Sequence, residues 1–571
     1  MRHRRRFLLF VLLLAVSSTA GLLIPWILKY TIDSLREERD TEMLMVYASL
    51  IIGLSIIQGI FRYLARKGFF SIARRVEFET RKDFFAQIQR LPLSYLDKTN
   101  TGELVSRATN DLAVVFLFFG PGLFHLLNTF FIYVIALSFM SAIDARLTLL
   151  ALIPYPLLAL ATRAYGMVVH PGFEEVQQRI ANISTKAQEN LNGIRLVKAY
   201  NEQEKEIHAF TKKCHEYMQQ NLKVARISAL FHALFGAIGG TALIIVLWFG
   251  GKGVVTGTLT LGELVAFTGY MALLLFPTIA FGWIVSLYQR ARAGMDRLND
   301  IFVLKEVFQD RGTGDLPSAP FDIEFKNLSF AYHENETSTQ VLKNIDLKIP
   351  QGIKLGIVGT TASGKSTLVH LIAKLYPVKD GQLFIGGQDI NAISTGKWRR
   401  QIGFVPQDSF LFSASLKENI AYGATAASPE AIYQAASLSC LVKDLEEFPE
   451  KLDTIVGERG ITLSGGQRQR AAIARAILIN PRILILDEAL ASVDTQTEGE
   501  IINQLSTLPA DQTCIIVSHR ISSVKDADRI IVLDGGCIAE SGTHAELLGK
   551  GGLYARLYKR QALGEELARL E

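Results

Sequence analysis

The stretch Gly359-Thr360-Thr361-Ala362-Ser363-Gly364-Lys365-Ser366-Thr367 follows the apolar run Lys354–Val358 and precedes a helical pattern over Leu368–Tyr376. Strand, glycine-bounded loop and helix in that order are what the phosphate-binding pattern G-x-x-x-x-G-K-[ST] requires. Successive backbone N–H groups and the new helix's N-terminus form an anion-binding nest. Lys365 is placed to reach the β- and γ-phosphates as a point charge, and the Ser366 hydroxyl to ligate Mg²⁺.

Around this loop lie 571 residues, too many for a single core. An apolar fraction of 49% and a mean hydropathy of +0.23 point to membrane spans. Cys214, Cys440, Cys514 and Cys537 are widely scattered, which supports neither a disulfide framework nor a zinc site.

The first half carries six apolar runs, at about residues 7–32, 43–66, 113–142, 147–169, 227–249 and 261–288. The first follows Arg2, Arg4, Arg5 and Arg6, a start that a signal peptide cleaved near Ser18-Thr19-Ala20 would share. The run continues to Ile32, however, long enough to cross a ~30 Å hydrocarbon core. The gap between the second and third runs carries Arg74, Arg75, Arg81, Lys82, Arg90, Lys98 and Arg107. The fourth-to-fifth gap carries Arg179, Lys186, Arg195, Lys198, Lys205, Lys212, Lys213 and Lys223. Positive residues mark the cytoplasmic side, so both long gaps and both termini are placed there. These gaps are periodic and poor in Gly and Pro, as helices running on past the membrane would be, with turns expected near Tyr95–Glu103 and Tyr200–Lys205. Among polar residues inside the runs, His125 and Asn128 are candidates for lining a substrate cavity.

A Gly- and Pro-containing linker at 310–320 separates this region, residues 1–309, from 321–571, where short β-rich runs alternate with helices as in a parallel α/β domain. Tyr332, after a strand, could stack on adenine. Gln407, on a loop after the strand Ile402–Val405, has an amide that could reach Mg²⁺ or the attacking water. Ser464, Gly465, Gly466 and Gln467 open a helix and offer a second anion-binding surface. The strand Ile483–Asp487 ends in acids: Asp487 suits Mg²⁺ ligation, and Glu488 suits polarising a water against the γ-phosphate. A further buried strand, Cys514–Ser518, leads to His519, which could contact the γ-phosphate or orient Glu488.

In this order the residues closely resemble an ABC exporter half-transporter: an α-helical six-span membrane domain with long cytoplasmic extensions, followed by an α/β P-loop ABC ATPase domain. Gly359–Thr367 matches the Walker A loop, Gln407 the Q-loop, Leu463–Gln467 the LSGGQ signature, Ile483–Asp487 Walker B with Glu488 as catalytic glutamate, Ala491–Asp494 the D-loop and His519 the H-loop. Tyr332 fits the adenine-stacking aromatic, and Val456–Gly460 looks like the segment that touches coupling helices. The resemblance implies ATP and Mg²⁺ as ligands and Asp494 as part of the nucleotide site. It implies coupling helices at the two cytoplasmic turns, and a second subunit whose site Ser464 and Gly466 complete. It further implies a hydrophobic or amphipathic substrate, multidrug or lipid-type, moved across the cytoplasmic membrane, and no nucleic-acid partner.

Three departures from the family pattern stand out. Only Met1–Arg6 precedes the first span, where relatives carry a short elbow helix. Leu490 and Ala491 stand where Thr and Ser are commoner. Every catalytic position is intact, which favours a homodimer and leaves open the competent subunit of a heterodimer. An ATP-gated channel on the same scaffold is the remaining alternative; no long insertion separates spans from ATPase domain to support it.

Overall fold

The computed structural model describes residues 4–36, 41–304, 312, 314–317, 320–332, 340–424, 426–457, 463–507 and 509–570. Glu458–Gly460, part of the expected coupling-helix contact, and linker residues 310, 311, 313, 318 and 319 fall outside them. The chain divides into two compact units: Met1–Gln89 with Thr101–Lys305, and Arg90–Asn100 with Glu306–Glu571.

Among the described residues, six helices are long and apolar enough to cross a membrane: Arg4–Leu35, Glu42–Arg90, Thr101–Ile143, Ala145–Asn192, Gln203–Val255 and Leu261–Val303. Each contains one of the six apolar runs. The fifth has 53 residues, roughly 80 Å at the α-helical rise, which leaves some 50 Å beyond a bilayer core. The extensions of the fourth and fifth helices pack through Val169, Val176 and Val224 and pair through Lys186 and Glu206 at 2.5 Å.

Two boundaries differ from the sequence reading. The second turn overlaps the expected Tyr200–Lys205 but begins earlier: the chain breaks after Asn192, makes the short helix Ile194–Ala199, turns at Tyr200–Glu202 with Asn201 at φ +55°, and re-enters helix at Gln203. Glu204 and Glu206 complement the dipole of that new N-terminus. The first turn ends at Asn100, so Thr101, Gly102 and Glu103 are already helical. The third span is also not uniform, because π-helical turns at Arg107–Asp111 and Phe118–Gly122 interrupt it. The second holds Pro121, which has no N–H to give to a regular ladder.

The connections at Asp144 and Thr260 are tight and capped. Asp144 alone separates the third and fourth spans, its carboxylate accepting from Arg146 N and Leu147 N at 2.8 and 3.0 Å. Thr260 and Glu263 form a capping box at the sixth span. Asp33, near the end of the first helix, accepts from Thr260 Oγ1 and Gly262 N, and Lys29 pairs with Glu263 at 2.8 Å. Lys29 is thus an interhelical tie. Of the two cavity candidates, Asn128 accepts from Ser18 at 3.4 Å and His125 meets the Trp283 ring edge-on.

The second unit holds two sheets. The larger has the order β10-β9-β3-β8-β7-β6, from β3 (Lys354–Gly359), β6 (Ile402–Val405), β7 (Ile483–Asp487), β8 (Thr513–Val517), β9 (Arg529–Asp534) and β10 (Cys537–Gly542). It is parallel except for the β9–β10 hairpin. β7 and β8 are buried at every residue, as strands covered on both faces must be. The sequence reading did not foresee the second sheet, an antiparallel layer ordered β2-β1-β4-β5 from β1 (Ile323–Phe330), β2 (Leu342–Ile349), β4 (Leu383–Ile385) and β5 (Gln388–Asp389). In the large sheet, Val517 is in register with both Ile357 and Asp487. The segments leaving β3, β7 and β8 therefore emerge side by side on one edge.

Gly262 approaches the backbone of the first helix so closely that a Cβ would lie 2.1 Å from Lys29 O, whereas a Cβ on Gly53 would meet nothing within 4 Å. Gly262→Val is therefore expected to lower the thermal midpoint and the monodisperse yield of the detergent-purified protein, and Gly53→Val to leave both unchanged.

Candidate functional site

The loop after β3 is shaped by backbone conformations that few residues adopt. Gly359 lies at φ +155°, and a Cβ there would sit 2.1 Å from Leu533 O. Ala362 and Gly364 are left-handed at φ +62° and +97°, which turns consecutive N–H groups the same way. The helix that follows spans Lys365–Ile372, earlier at both ends than the expected Leu368–Tyr376. It stops where Lys374 turns left-handed (φ +53°), the buried Lys374 ammonium then bonding Ile390 O and Ile393 O. Lys365 is only 5% exposed and donates to the loop's own carbonyls, Gly359 O at 3.2 Å and Thr360 O at 3.0 Å. Burial pulls its pKa down, against the raising influence of Glu488 and Asp487. Thr360 Oγ1 bonds Asp534, and buried Ser363 Oγ has no hydrogen-bond partner among the described residues. Thr361 caps no other element and stays exposed at the loop's tip.

Asp487, 1% exposed, accepts from Ser366 Oγ at 2.9 Å. Burial pushes its carboxyl up to about 6; Ser366 and Lys365 oppose the rise and Glu488 adds to it. Glu488 follows at φ +49°, a strained conformation for a side-chain-bearing residue. That turn points its carboxylate at two partners: Oε1 lies 2.8 Å from His519 Nε2, and Oε2 accepts from Gln407 Nε2 at 2.7 Å. The structure thus unites the three predicted catalytic side chains on one carboxylate. Gln407 faces that cluster through its amide nitrogen, and in this arrangement its oxygen makes no bond to Asp487.

Tyr332 sits beside the loop, its hydroxyl 2.9 Å from Thr367 Oγ1 and its ring edge-on to Tyr376. Ser464 is the N-cap of the helix Gly465–Leu478 in a capping box with Gln467. The Gln467 amide is thereby committed within its own domain, to Ser464 N at 2.9 Å and to Asp444 at 3.2 Å. Gly465 and Gly466 lie against Ser492. Asp494 caps the helix Thr495–Leu505 by accepting from Thr497 N.

Four residues near the site escaped the sequence reading. Gln469 bridges Glu488 O and Ser492 N. Arg520 reaches Val493 O, Ala491 O and the buried Glu498 carboxylate, tying the segment after β8 to the segment after Glu488. His370, one turn along the helix from Ser366, stands 3.6 Å from Asp487 Oδ2 and packs on Tyr376. Tyr376 in turn donates at 2.6 Å to Asp97 of the segment Arg90–Asn100, whose Leu93 packs on the same core. Only long-range pairing gives these residues meaning, and no local pattern marks them.

The donor set fits a polyphosphate. Left-handed residues shape the loop, Ser363 Oγ is a buried hydroxyl with no hydrogen-bond partner among the described residues, and a nearly buried ammonium donates to carbonyls of its own loop. Ser366 and Asp487 offer hard oxygens, and no group of three His, Cys, Asp or Glu residues clusters among the described residues. Such a set suits Mg²⁺, which keeps waters and takes substrate phosphate oxygens rather than an all-protein cage.

Comparison with known proteins agrees with this geometry. Residues 7–278 match the ABC transporter transmembrane region and residues 342–491 the ABC transporter family. The chain is 35% identical to a probable multidrug resistance ABC transporter ATP-binding/permease protein of Bacillus subtilis, over 98% of this chain and 95% of that protein. It is 32% identical to the multidrug resistance-like ATP-binding protein MdlA of Escherichia coli, over 98% and 95% respectively. It is also 32% identical to an ATP-dependent lipid A-core flippase of Syntrophus aciditrophicus, over 99% and 94%. Among solved structures, a bacterial Atm1-family ABC exporter with ATP bound superposes with a TM-score of 0.82 at 26% identity, covering 98% of this chain and all of that one.

The raised Asp487 pKa carries a stability consequence. A carboxyl that binds its proton more tightly when folded subtracts from stability as pH climbs from about 4, its unfolded range, through about 6. Asp487→Asn is expected to stabilise the nucleotide-free protein at pH 7 by on the order of 1–2 kcal/mol. The gain should shrink at pH 5, where the native carboxyl is already protonated, and Mg²⁺-dependent ATP hydrolysis should be lost. Thermal unfolding at both pH values checks it.

Proposed function

Given that the chain belongs to the ABC transporter family, with membrane and ATPase regions in one polypeptide, we propose that two copies of it form an exporter or flippase for amphipathic molecules in the cell membrane. ATP hydrolysis coupled to transport is the activity of the class. The relatives named for multidrug resistance and for flipping lipid A-core support an amphipathic substrate. The lysine- and arginine-rich extensions support a cytoplasmic ATPase side. Intact residues at every catalytic position support a homodimer.

The observation that carries the reading is the Glu488 carboxylate, held between His519 and Gln407 on the same sheet edge as Lys365, Ser366 and Asp487. ATP's phosphates lie in the loop Gly359–Thr367, where Lys365 leaves its carbonyl partners for the β- and γ-phosphate oxygens. Tyr332 supports the adenine. Ser366, Asp487 and Gln407 would hold Mg²⁺, which would supply charge neutralisation to the phosphates. Glu488 accepts the proton of the water that attacks the γ-phosphate. His519 donates to Glu488 or to the γ-phosphate, and so holds the carboxylate in line with the water. Ser464, Gly465 and Gly466, at a helix N-terminus, close on the phosphates bound by the other subunit, and Asp494 lies on the segment that joins the two sites. Each domain therefore binds ATP on one surface and completes a site with another. ATP favours the closed pair, hydrolysis reopens it, and the turns at Leu93–Leu96 and Ile194–Ala199 carry the change to the spans.

Glu488→Gln keeps the side chain's size and its bond from Gln407 while removing the base. The purified variant in lipid is expected to bind ATP with near-normal affinity and to lose at least ~100-fold in turnover. Hydrolysis near the parent rate would refute the role given to Glu488.

A further inference from the structure

His519 stands two residues beyond the end of β8, on a loop, with its imidazole 44% exposed. Its pairing with Glu488 at 2.8 Å therefore depends on what fixes that loop. Part of the answer is local: Ser518 N donates to Ile357 O, and Arg520 N to Ser518 Oγ at 2.9 Å. The Arg520 side chain adds bonds to Val493 O, Ala491 O and Glu498, and a further grip, on the peptide groups themselves, comes from the C-terminal helix. Gln561, on the helix Leu553–Leu570, accepts from Ile521 N through Oε1 at 2.9 Å and donates from Nε2 to the carbonyl oxygen of His519 itself. One amide thus holds the peptide groups on both sides of Arg520, and it fixes the direction in which the histidine's backbone faces.

The helix that carries Gln561 is itself anchored. Its first residues, Leu553 and Tyr554, donate their N–H groups to Glu540 of β10, and the Tyr554 ring is fully buried with its hydroxyl 2.7 Å from His544 Nδ1. Leu557 packs on the same core. Tyr554, Leu557 and Gln561 follow the i, i+3, i+7 spacing of one helical face, so the face that seats the helix also delivers the amide.

We propose that Gln561 is a positioning residue for ATP hydrolysis: through the loop 519–521 it holds His519 against Glu488, and so makes the C-terminal helix part of the catalytic apparatus. This rests on the role given above to His519. A side chain with two rotatable carbons and an amide is suited to the task, because donor and acceptor must act on two peptide groups at once.

The test uses the full chain purified in lipid. Gln561→Met preserves length and volume but removes both polar groups, and Gln561→Glu keeps the acceptor while losing the donor to His519. Both are expected to lower kcat about tenfold, the scale on which hydrogen-bond partners behind a functional residue act, with the KM for ATP and the thermal midpoint unchanged. In a His519→Ala background Gln561→Met should add no further loss, because the residue it positions is gone. Parent kcat in both single variants, or the same fold-loss with and without His519, would overturn the proposal. Parent kcat in His519→Ala alone would instead overturn the role of His519 on which it stands.

Discussion

A lysine ammonium and an aspartate carboxylate, 5% and 1% exposed, are held at the C-terminal edge of one parallel sheet, and the rest of the ATPase unit depends on their desolvation. Neither charge is well compensated by the chain itself. Lys365 donates to two carbonyls of its own loop, and Asp487 takes one hydroxyl from Ser366. Burial shifts each toward its neutral form. Such sites are costly to fold around, and the cost is relieved by a ligand that brings both a polyanion and a cation. The electrostatic imbalance suits a bound ATP, whose phosphates would compensate the Lys365 charge at the end of β3.

Attachment is what the second tier of contacts provides. His370 and Tyr376 continue from the Ser366 helix to Asp97, in the short segment that joins the second and third spans. Arg520 joins the His519 loop to the segment carrying Asp494, and Gln469 joins Glu488 to Ser492, against which Gly465 and Gly466 pack. The ATP-binding edge, the signature turn and the segment around Asp97 are thus linked by hydrogen bonds, by the His370–Asp487 approach at 3.6 Å and by the His370–Tyr376 ring contact. A change at the γ-phosphate need not travel far to be felt at any of them.

Much of this was legible in the sequence, for a physical reason. The loop, the acid pair after β7 and the helix-opening Ser464 are local motifs, in which a backbone shape and the residues that use it are neighbours in the chain. The spans were legible because lipid imposes length and composition. Features set by distant partners were not. The helix after the loop ends early because Lys374 finds carbonyls sixteen and nineteen residues on. The second turn ends at Glu202, ahead of the expected Lys205, where Glu204 and Glu206 favour a helix start. The antiparallel layer pairs short strands that alone carry little pattern. Gln467, read as a nucleotide contact, has its amide in its own capping box, a use that the spacing Ser464 to Gln467 in fact encodes. Gln561 has no local signature at all.

The central claim is that each ATP site is shared, with Lys365 from one chain and Gly466 from the other. It is tested most directly by co-expressing two differently tagged chains, one carrying Lys365→Ala and the other Gly466→Glu, and measuring ATPase activity of the doubly purified heterodimer. Each variant alone, as a homodimer, has no sound site. If sites are shared between chains, the heterodimer places both lesions in one site and leaves the other intact, so substantial hydrolysis returns. Hydrolysis no greater than that of either homodimer would contradict the account.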